Sequence, residues 1–207
     1  MAHDSHEAFR VLHALRIKGF AKVEMVAELG GVHHDVTVGH LTELQSRELA
    51  MYREARALWQ LTAPGKEHHA NELAAEQAAA AEHLAALKDP YHRFLELNEA
   101  FKALCGDWQL RDGQPNDHTD VAYDKQVIDK LSDLDADARP IVSVFGSAFT
   151  RYALYVPRLE AQANAVRNGQ QSQFTGVMCG SYHDVWMELH EDLILTQGID
   201  RVAEGSF

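Results

Sequence analysis

The chain is short of several things that define protein classes. It has 2 cysteines in 207 residues, Cys105 and Cys179. Two isolated cysteines give no disulfide framework, fit a reducing cytoplasm, and read most simply as small core residues. No apolar run approaches the ~20 residues of a membrane span. The start, MAHDSHEAF, has no basic segment ahead of an apolar one, so neither a membrane helix nor a signal peptide is expected, and a cytoplasmic location is. There is no GxSxG, HExxH, P-loop or dinucleotide glycine fingerprint, and neither cysteine has a recognisable nucleophile context. The acidic runs DKLSDLDADA and ELHED fit solvated helix faces. No enzymatic activity and no cofactor is therefore expected. Positive charge is also scarce: 19 Lys+Arg stand against 31 Asp+Glu, a net charge of −12. A surface of that sign argues against nucleic-acid binding by the molecule as a whole.

What is present is an ordinary folded composition, 46% apolar and 24% charged, in a length that suits one or two domains. The most ordered pattern runs from Phe9 to Gly65. FRVLHALRIKG places Leu12 and Leu15 on one face of a helix that Gly19 stops. Val23, Val26 and Leu29 lie at i, i+3, i+6 of a second short helix, and Gly30-Gly31 supplies a sharp turn because glycine accepts positive φ. In HHDVTVGHLTELQSREL, Thr37, Leu41 and Leu44 fall at i, i+4, i+7 and face inward, leaving Val38, Gly39, Thr42 and Gln45 outward. MYRE and LWQLT read as two strands with Glu54–Ala57 at the hairpin tip. Thr62 caps a following helix that has Pro64 in its first turn.

Three helices, a two-strand ribbon and a new helix resemble the winged helix-turn-helix of the multiple-antibiotic-resistance regulator (MarR) superfamily. The resemblance rests on HLTELQSRELAMYRE, where that superfamily has a recognition helix ending in a leucine-rich segment, on the wing, and on the exit LTAPG. It covers the first third of the chain. It implies DNA binding through a helix in the major groove. Two departures stand out: Glu48 occupies a place where the family has Gly, and Val38 and Gly39 stand where such helices often carry Ser and Arg.

Charge is unevenly divided. Residues 1–69 hold 8 Lys+Arg and 9 Asp+Glu, whereas residues 70–207 hold 11 and 22. Charges beyond a Debye length of ~8 Å are largely screened, so the local surface decides DNA attraction. The expected DNA-facing residues are His34, Val38, Gly39, Thr42 and Gln45 on the third helix, with Arg47, Arg53, Arg56 and Lys66 as phosphate contacts. The first 69 residues also carry 8 of the 13 histidines, among them His33, His34 and His40, which predicts stronger DNA binding near pH 6.

KEHHANELAAEQAAAAEHLAALK, residues 66–88, is expected to be one helix because alanine has the best helix propensity. Its stripe of Leu73, Ala80, Leu84 and Leu87 fits either dimerisation or packing within the subunit, and Asp89-Pro90 is expected to end it. Beyond lie helices over 91–104, from Asn116 or Asp117 to 134, over 137–152 with Pro140 in the first turn, and over 157–166. A loop is expected at 106–115. Ser181–Thr196 is the clearest amphipathic helix, with Tyr182, Trp186, Leu189 and Leu193 on one face. Of 17 aromatics, 13 lie in this part. Most fit a core, but Trp108, Tyr123, Tyr152, Tyr155 and Tyr182 carry polar tips. With Arg151, Arg158 and His183 they form a candidate pocket for an aromatic or carboxylate-bearing effector. His183 and His190 share a helix face ~10.5 Å apart, too far for one metal without help from Glu188, Glu191 or His92.

The expectation is a mainly α protein: a winged helix-turn-helix with a small β-hairpin wing (1–69), a linker or dimerisation helix (70–89), and a helical effector-binding or oligomerisation domain (90–207). The expected role is a dimeric transcriptional regulator that binds double-stranded DNA under control of a small-molecule effector, with no membrane partner. The alternatives are a protein-interaction or sensor module whose winged helix does not read DNA, and a metal-binding helical domain.

Overall fold

Glycines in the left-handed region punctuate the N-terminal helices in the computed structural model, which describes residues 1–200. α1 (Glu7–Lys18) ends at Gly19 and α2 (Val23–Gly30) at Gly31, where φ is +70° and +58°. α3 (His34–Ser46) follows with Thr37, Leu41 and Leu44 buried. Strands β1 (Ala50–Arg53) and β2 (Leu58–Leu61) pair antiparallel, Ala50 opposite Leu61 and Tyr52 opposite Trp59, around a 3-10 tip at Glu54–Arg56. Ala21 exchanges both backbone hydrogen bonds with Trp59, at 3.1 and 2.8 Å, which ties the α1–α2 turn to the ribbon. Val11, Leu15, Val26, Leu29 and Leu41 form the core beneath.

LTAPG has a local physical logic. The Thr62 hydroxyl accepts from the Gly65 N–H at 3.0 Å and caps α4 (Ala63–Ala79), and Pro64 sits in the first turn where its missing N–H costs nothing. A Cβ on Gly65 would overlap the Leu49 carbonyl oxygen, so only glycine lets the helix start against the ribbon.

The Ala-rich segment is not one helix. α4 stops at Ala79, Ala80 leaves helical geometry (φ −111°, ψ 25°), and a short α5 (Ala81–Ala85) follows. Ala80 and Leu87 are in the core and Leu73 is buried, so most of the stripe packs within its own chain. Asp89-Pro90 does not end a helix but lies in the first turn of α6 (Lys88–Gln109). Proline is tolerated there because the first N–H groups have no intrahelical acceptor. α6 runs on through the expected loop, because Trp108 is buried; only the hairpin β3 (Leu110–Arg111) and β4 (Gln114–Pro115) departs from helix.

The two helices expected over 116–152 are a single α7 (Val121–Ala148) with Pro140 in its interior, and Asp120 rather than Asn116 or Asp117 caps it. Asn116 instead bonds the Trp108 carbonyl and Asp124. A 3-10 turn at Thr150–Leu154 leads into α8 (Tyr155–Arg167). After the four-residue α9 (Ser172–Thr175), Ser181 caps α10 (Tyr182–Gln197). α6 packs on α7, α7 on α8, and α8 on α10. They enclose Phe94, Phe101, Phe145, Tyr152, Trp186 and Leu189. The molecule is thus mainly helical, with two small antiparallel two-stranded ribbons among the described residues. Among the described residues no helix is long and apolar enough to cross a membrane.

Candidate nucleic-acid interface and the junction behind it

α3 and the ribbon form one exposed face. His34, Val38, Gly39, Thr42, Gln45 and Arg47 on or just after α3, Arg53 and Arg56 on the ribbon, and Lys66 on α4 are all exposed. The periodicity that turns Thr37, Leu41 and Leu44 inward puts the intervening residues outward. Val36 and Val38 are each 39% exposed, which is apolar surface that a folded chain would otherwise cover. The Thr42 hydroxyl donates back to the Val38 carbonyl at 2.8 Å, and nothing lies within 4 Å of a Cβ placed on Gly39. This stretch of α3 is therefore smooth and weakly polar.

Charges around it are mixed. Arg47 faces Glu43 at 3.9 Å, and His34 lies 3.3 Å from Asp35 and 3.8 Å from Glu24. Glu48 and Glu54 are exposed nearby. Arg53, Arg56 and Lys66 make no ion pair among the described residues. Arg53 and Arg56 border a shallow groove of about 390 Å³ with Phe20 and Leu58.

Behind this face, α1 and α4 meet α10 and the 3-10 turn across a buried polar network. His13 Nε2 lies 2.9 Å from Asp192 Oδ1, and His13 Nδ1 lies 2.8 Å from His69 Nε2. Asp192 also accepts from the Tyr155 hydroxyl (3.1 Å), the Thr196 hydroxyl (3.0 Å) and Arg151 Nε (3.3 Å). Arg151 continues to Thr196 (2.7 Å), Ser5 (3.1 Å) and Glu76 (3.2 Å), and the Ser5 hydroxyl donates to Glu76. Burial alone would raise the Asp192 carboxyl, but Arg151 and then His13 reverse this and hold it well below the usual carboxylate range. Burial opposes the charge of Arg151, and Asp192 foremost outweighs it. Burial, and next the neighbouring His13, pull His69 down to about 3. The geometry agrees: a carboxylate only accepts, so His13 Nε2 carries a proton toward Asp192 and one further proton fills the gap between the two imidazoles.

A second set of charges tightens the same junction. Glu188 of α10 pairs with Lys18 of α1 and with Arg158 of α8 at 2.7 Å, and Arg158 reaches Glu28 of α2 at 2.9 Å. Arg16 meets Glu191 at 3.3 Å.

The residues expected to line an effector pocket go to separate places. Arg151, Tyr152, Tyr155 and Arg158 come together at the junction, with Arg151 over the Tyr152 ring (5.1 Å) and Arg158 over the Tyr155 ring (5.8 Å). Tyr182 is buried against Phe101 and Trp186 and bonds Asp135. Its neighbour His183 packs near Phe101. Trp108 packs on His118 and Phe174, while Tyr123 donates to the Asp107 carbonyl. His190 is buried beside Tyr91, and among the described residues no three His, Cys, Asp or Glu side chains are grouped to hold a metal ion.

The junction was missed in the sequence although a signal existed. Val185, Leu189, Asp192 and Thr196 fall at i, i+4, i+7, i+11 of α10, so an aspartate occupies a core position. Such a residue needs buried partners. The chain matches no family model, no curated protein and no solved structure.

Proposed function

We propose that residues 1–69 form a winged helix-turn-helix that binds double-stranded DNA, and that the protein is a transcriptional regulator acting as a dimer on paired half-sites. The observation that carries this reading is the placement of Arg53, Arg56 and Lys66. These three cations are exposed and lack ion-pair partners among the described residues; Arg53 and Arg56 lie on the ribbon whose first strand packs against α3, and Lys66 lies in the first turn of the helix that leaves it. Free cations on a ribbon and on the helix that leaves it, beside an exposed helix, suit phosphate contacts on either side of a groove.

The smooth stretch of α3 suits a particular kind of readout. Val38, Gly39 and Thr42 offer apolar contact to thymine methyl groups, with Gln45 available for an adenine edge. An A·T-rich operator follows. The sparse positive charge calls for few phosphate contacts and a shallow salt dependence. A second reading, a protein-contact face, is favoured by Asp35, Glu43, Glu48 and Glu54 on the same surface.

Selection of duplexes from a random pool, followed by titration of the selected duplex at several salt concentrations, tests the proposal. Arg53→Ala/Arg56→Ala is expected to weaken binding to all duplexes and to lower the log–log salt slope by about 1.8, or ~0.9 per phosphate contact. Absence of any selected duplex at low salt would sink DNA binding and leave the protein-contact reading. Sedimentation with and without the duplex tests the dimer.

A further inference from the structure

The break in the Ala-rich segment creates a cavity that the expected effector residues do not line. Among the described residues it has a volume of about 490 Å³, within the ~300–1,000 Å³ typical of small-molecule sites. Leu84, Ala85 and Ile199 give it apolar lining, buried Tyr91 lines it as well, and Lys88 and His92 of the first turns of α6 line it and are exposed. Its polarity runs against that of its surroundings. Residues 70–207 carry 22 acidic side chains and 11 basic ones, yet among the described residues none that lines the cavity is acidic. Lys88 and His92 have no ion-pair or hydrogen-bond partner among the described residues.

We propose that this cavity binds an apolar monocarboxylate, with its hydrocarbon body against Leu84, Ala85 and Ile199 and its carboxylate on Lys88 and His92. An apolar wall ending in an unpaired ammonium and an imidazole N–H is complementary to an amphiphilic anion. A neutral apolar ligand would leave the ammonium unused, and a fully hydrophilic anion would leave the wall wet.

The position also gives the ligand a consequence, which rests on the DNA-binding reading above. The cavity is closed on one side by Gln197 and Ile199, at and beyond the end of α10. One turn earlier, the Leu195 and Thr196 carbonyls accept from Gln77 of α4 at 3.4 and 3.1 Å. Thr196 belongs to the Asp192–Arg151 network as well. A ligand seated here bears on the contact between α4, which leaves the ribbon, and α10. An effector changes DNA affinity only through its differential affinity for two such arrangements.

The test is calorimetric titration of the full chain, without DNA, using decanoate, 2-naphthoate and the uncharged decanol. At least one carboxylate is expected to bind one-to-one. Ala85→Trp, which fills the cavity, is expected to abolish that binding. Lys88→Gln is expected to weaken carboxylate binding about tenfold, the scale of a charge-assisted hydrogen bond, and to leave decanol unchanged. Circular dichroism melts of both variants establish that they fold. The proposal is overturned if neither carboxylate binds, if folded Ala85→Trp binds as well as the parent, or if Lys88→Gln affects decanol and carboxylate alike. Because no DNA is present, failure here leaves the DNA reading standing, and failure to select a duplex leaves this site standing.

Discussion

Glu48 has a φ of +59°, in the left-handed region, where it turns the end of α3 into β1. Its carbonyl accepts from the Thr62 hydroxyl at 2.8 Å, so the turn is held from the far side of the ribbon. The backbone demand at this place is the one glycine meets without steric cost. Glu48 therefore holds a turn that glycine would adopt without strain. A side-chain-bearing residue there costs about 1–2 kcal/mol, partly offset because glycine has more freedom to lose on folding. Glu48→Gly is expected to stabilise the protein by roughly 0.5–1 kcal/mol and raise Tm by about 2 °C. Glu48→Ala removes the same charge but keeps the strain, and is expected to give no such rise; equal stabilisation by both would assign the effect to charge. Gly65 is the opposite case. A methyl group there meets the Leu49 backbone, not a movable side chain, so Gly65→Ala is expected to cost about 3 kcal/mol or more in urea denaturation.

Among the elements, those that carry both a period and a punctuation mark were legible. α1, α2 and α3 have apolar repeats and glycine stops or turns, the ribbon has Tyr52 and Trp59 about a polar tip, and α10 has Ser181 as its cap. The outward positions of α3 followed from the inward ones. The middle of the chain was not legible, for two physical reasons. A run of alanines has high propensity everywhere, so nothing local marks Ala80 as the break; burial of Ala80 and Leu87 against the helical core decides it. A proline means opposite things at opposite places in a helix, and Pro90 and Pro140 were each assigned the wrong place. Pro90 opens α6, while Pro140 lies inside α7, where the Ala136 carbonyl loses its donor. Pro140 is exposed, so replacing it disturbs no packing. Pro140→Ala is expected to restore that hydrogen bond and stabilise α7 by about 1 kcal/mol or more. A protected amide at residue 140 of the variant and slower exchange at its neighbours, together with a raised denaturation midpoint, would show this; an unchanged midpoint would mean that the helix has adapted fully to the proline.

At the scale of the whole molecule, the junction joins what the sequence divides at residues 69 and 89. His13 and Asp192 are 179 positions apart and Ser5 and Arg151 are 146 apart, so neither half can keep its buried charges paired without the other. His69 binds a proton at about 3 when folded, against about 6.5 for an unperturbed histidine. Between these values the unfolded chain takes up a proton that the folded chain refuses. Stability from this group is therefore complete above pH ~6.5 and falls by up to about 1.4 kcal/mol per pH unit below it. Burial is the first cause and His13 the second: across the 2.8 Å between the facing nitrogens one proton bridges His13 and His69, and a second would set two N–H groups against each other. Asp192 acts lower. Its folded carboxyl titrates below the usual range, so its contribution is complete above ~3.9 and is lost only as pH falls further. Urea denaturation between pH 8 and pH 5 is expected to be flat at first and then to slope downward from about 6.5. His69→Gln, which keeps a polar partner for His13 but has no proton to take up, is expected to be less stable at pH 8 and to lose that slope. A slope that persists in the variant would place the acid-sensitive group elsewhere. In this window acid loosens the joint that lies behind the proposed DNA-binding face. Any DNA affinity measured at pH 6 therefore has to be read beside the fraction folded at pH 6, and His69→Gln, which removes the acid slope, tells a change in affinity from a loss of folded protein.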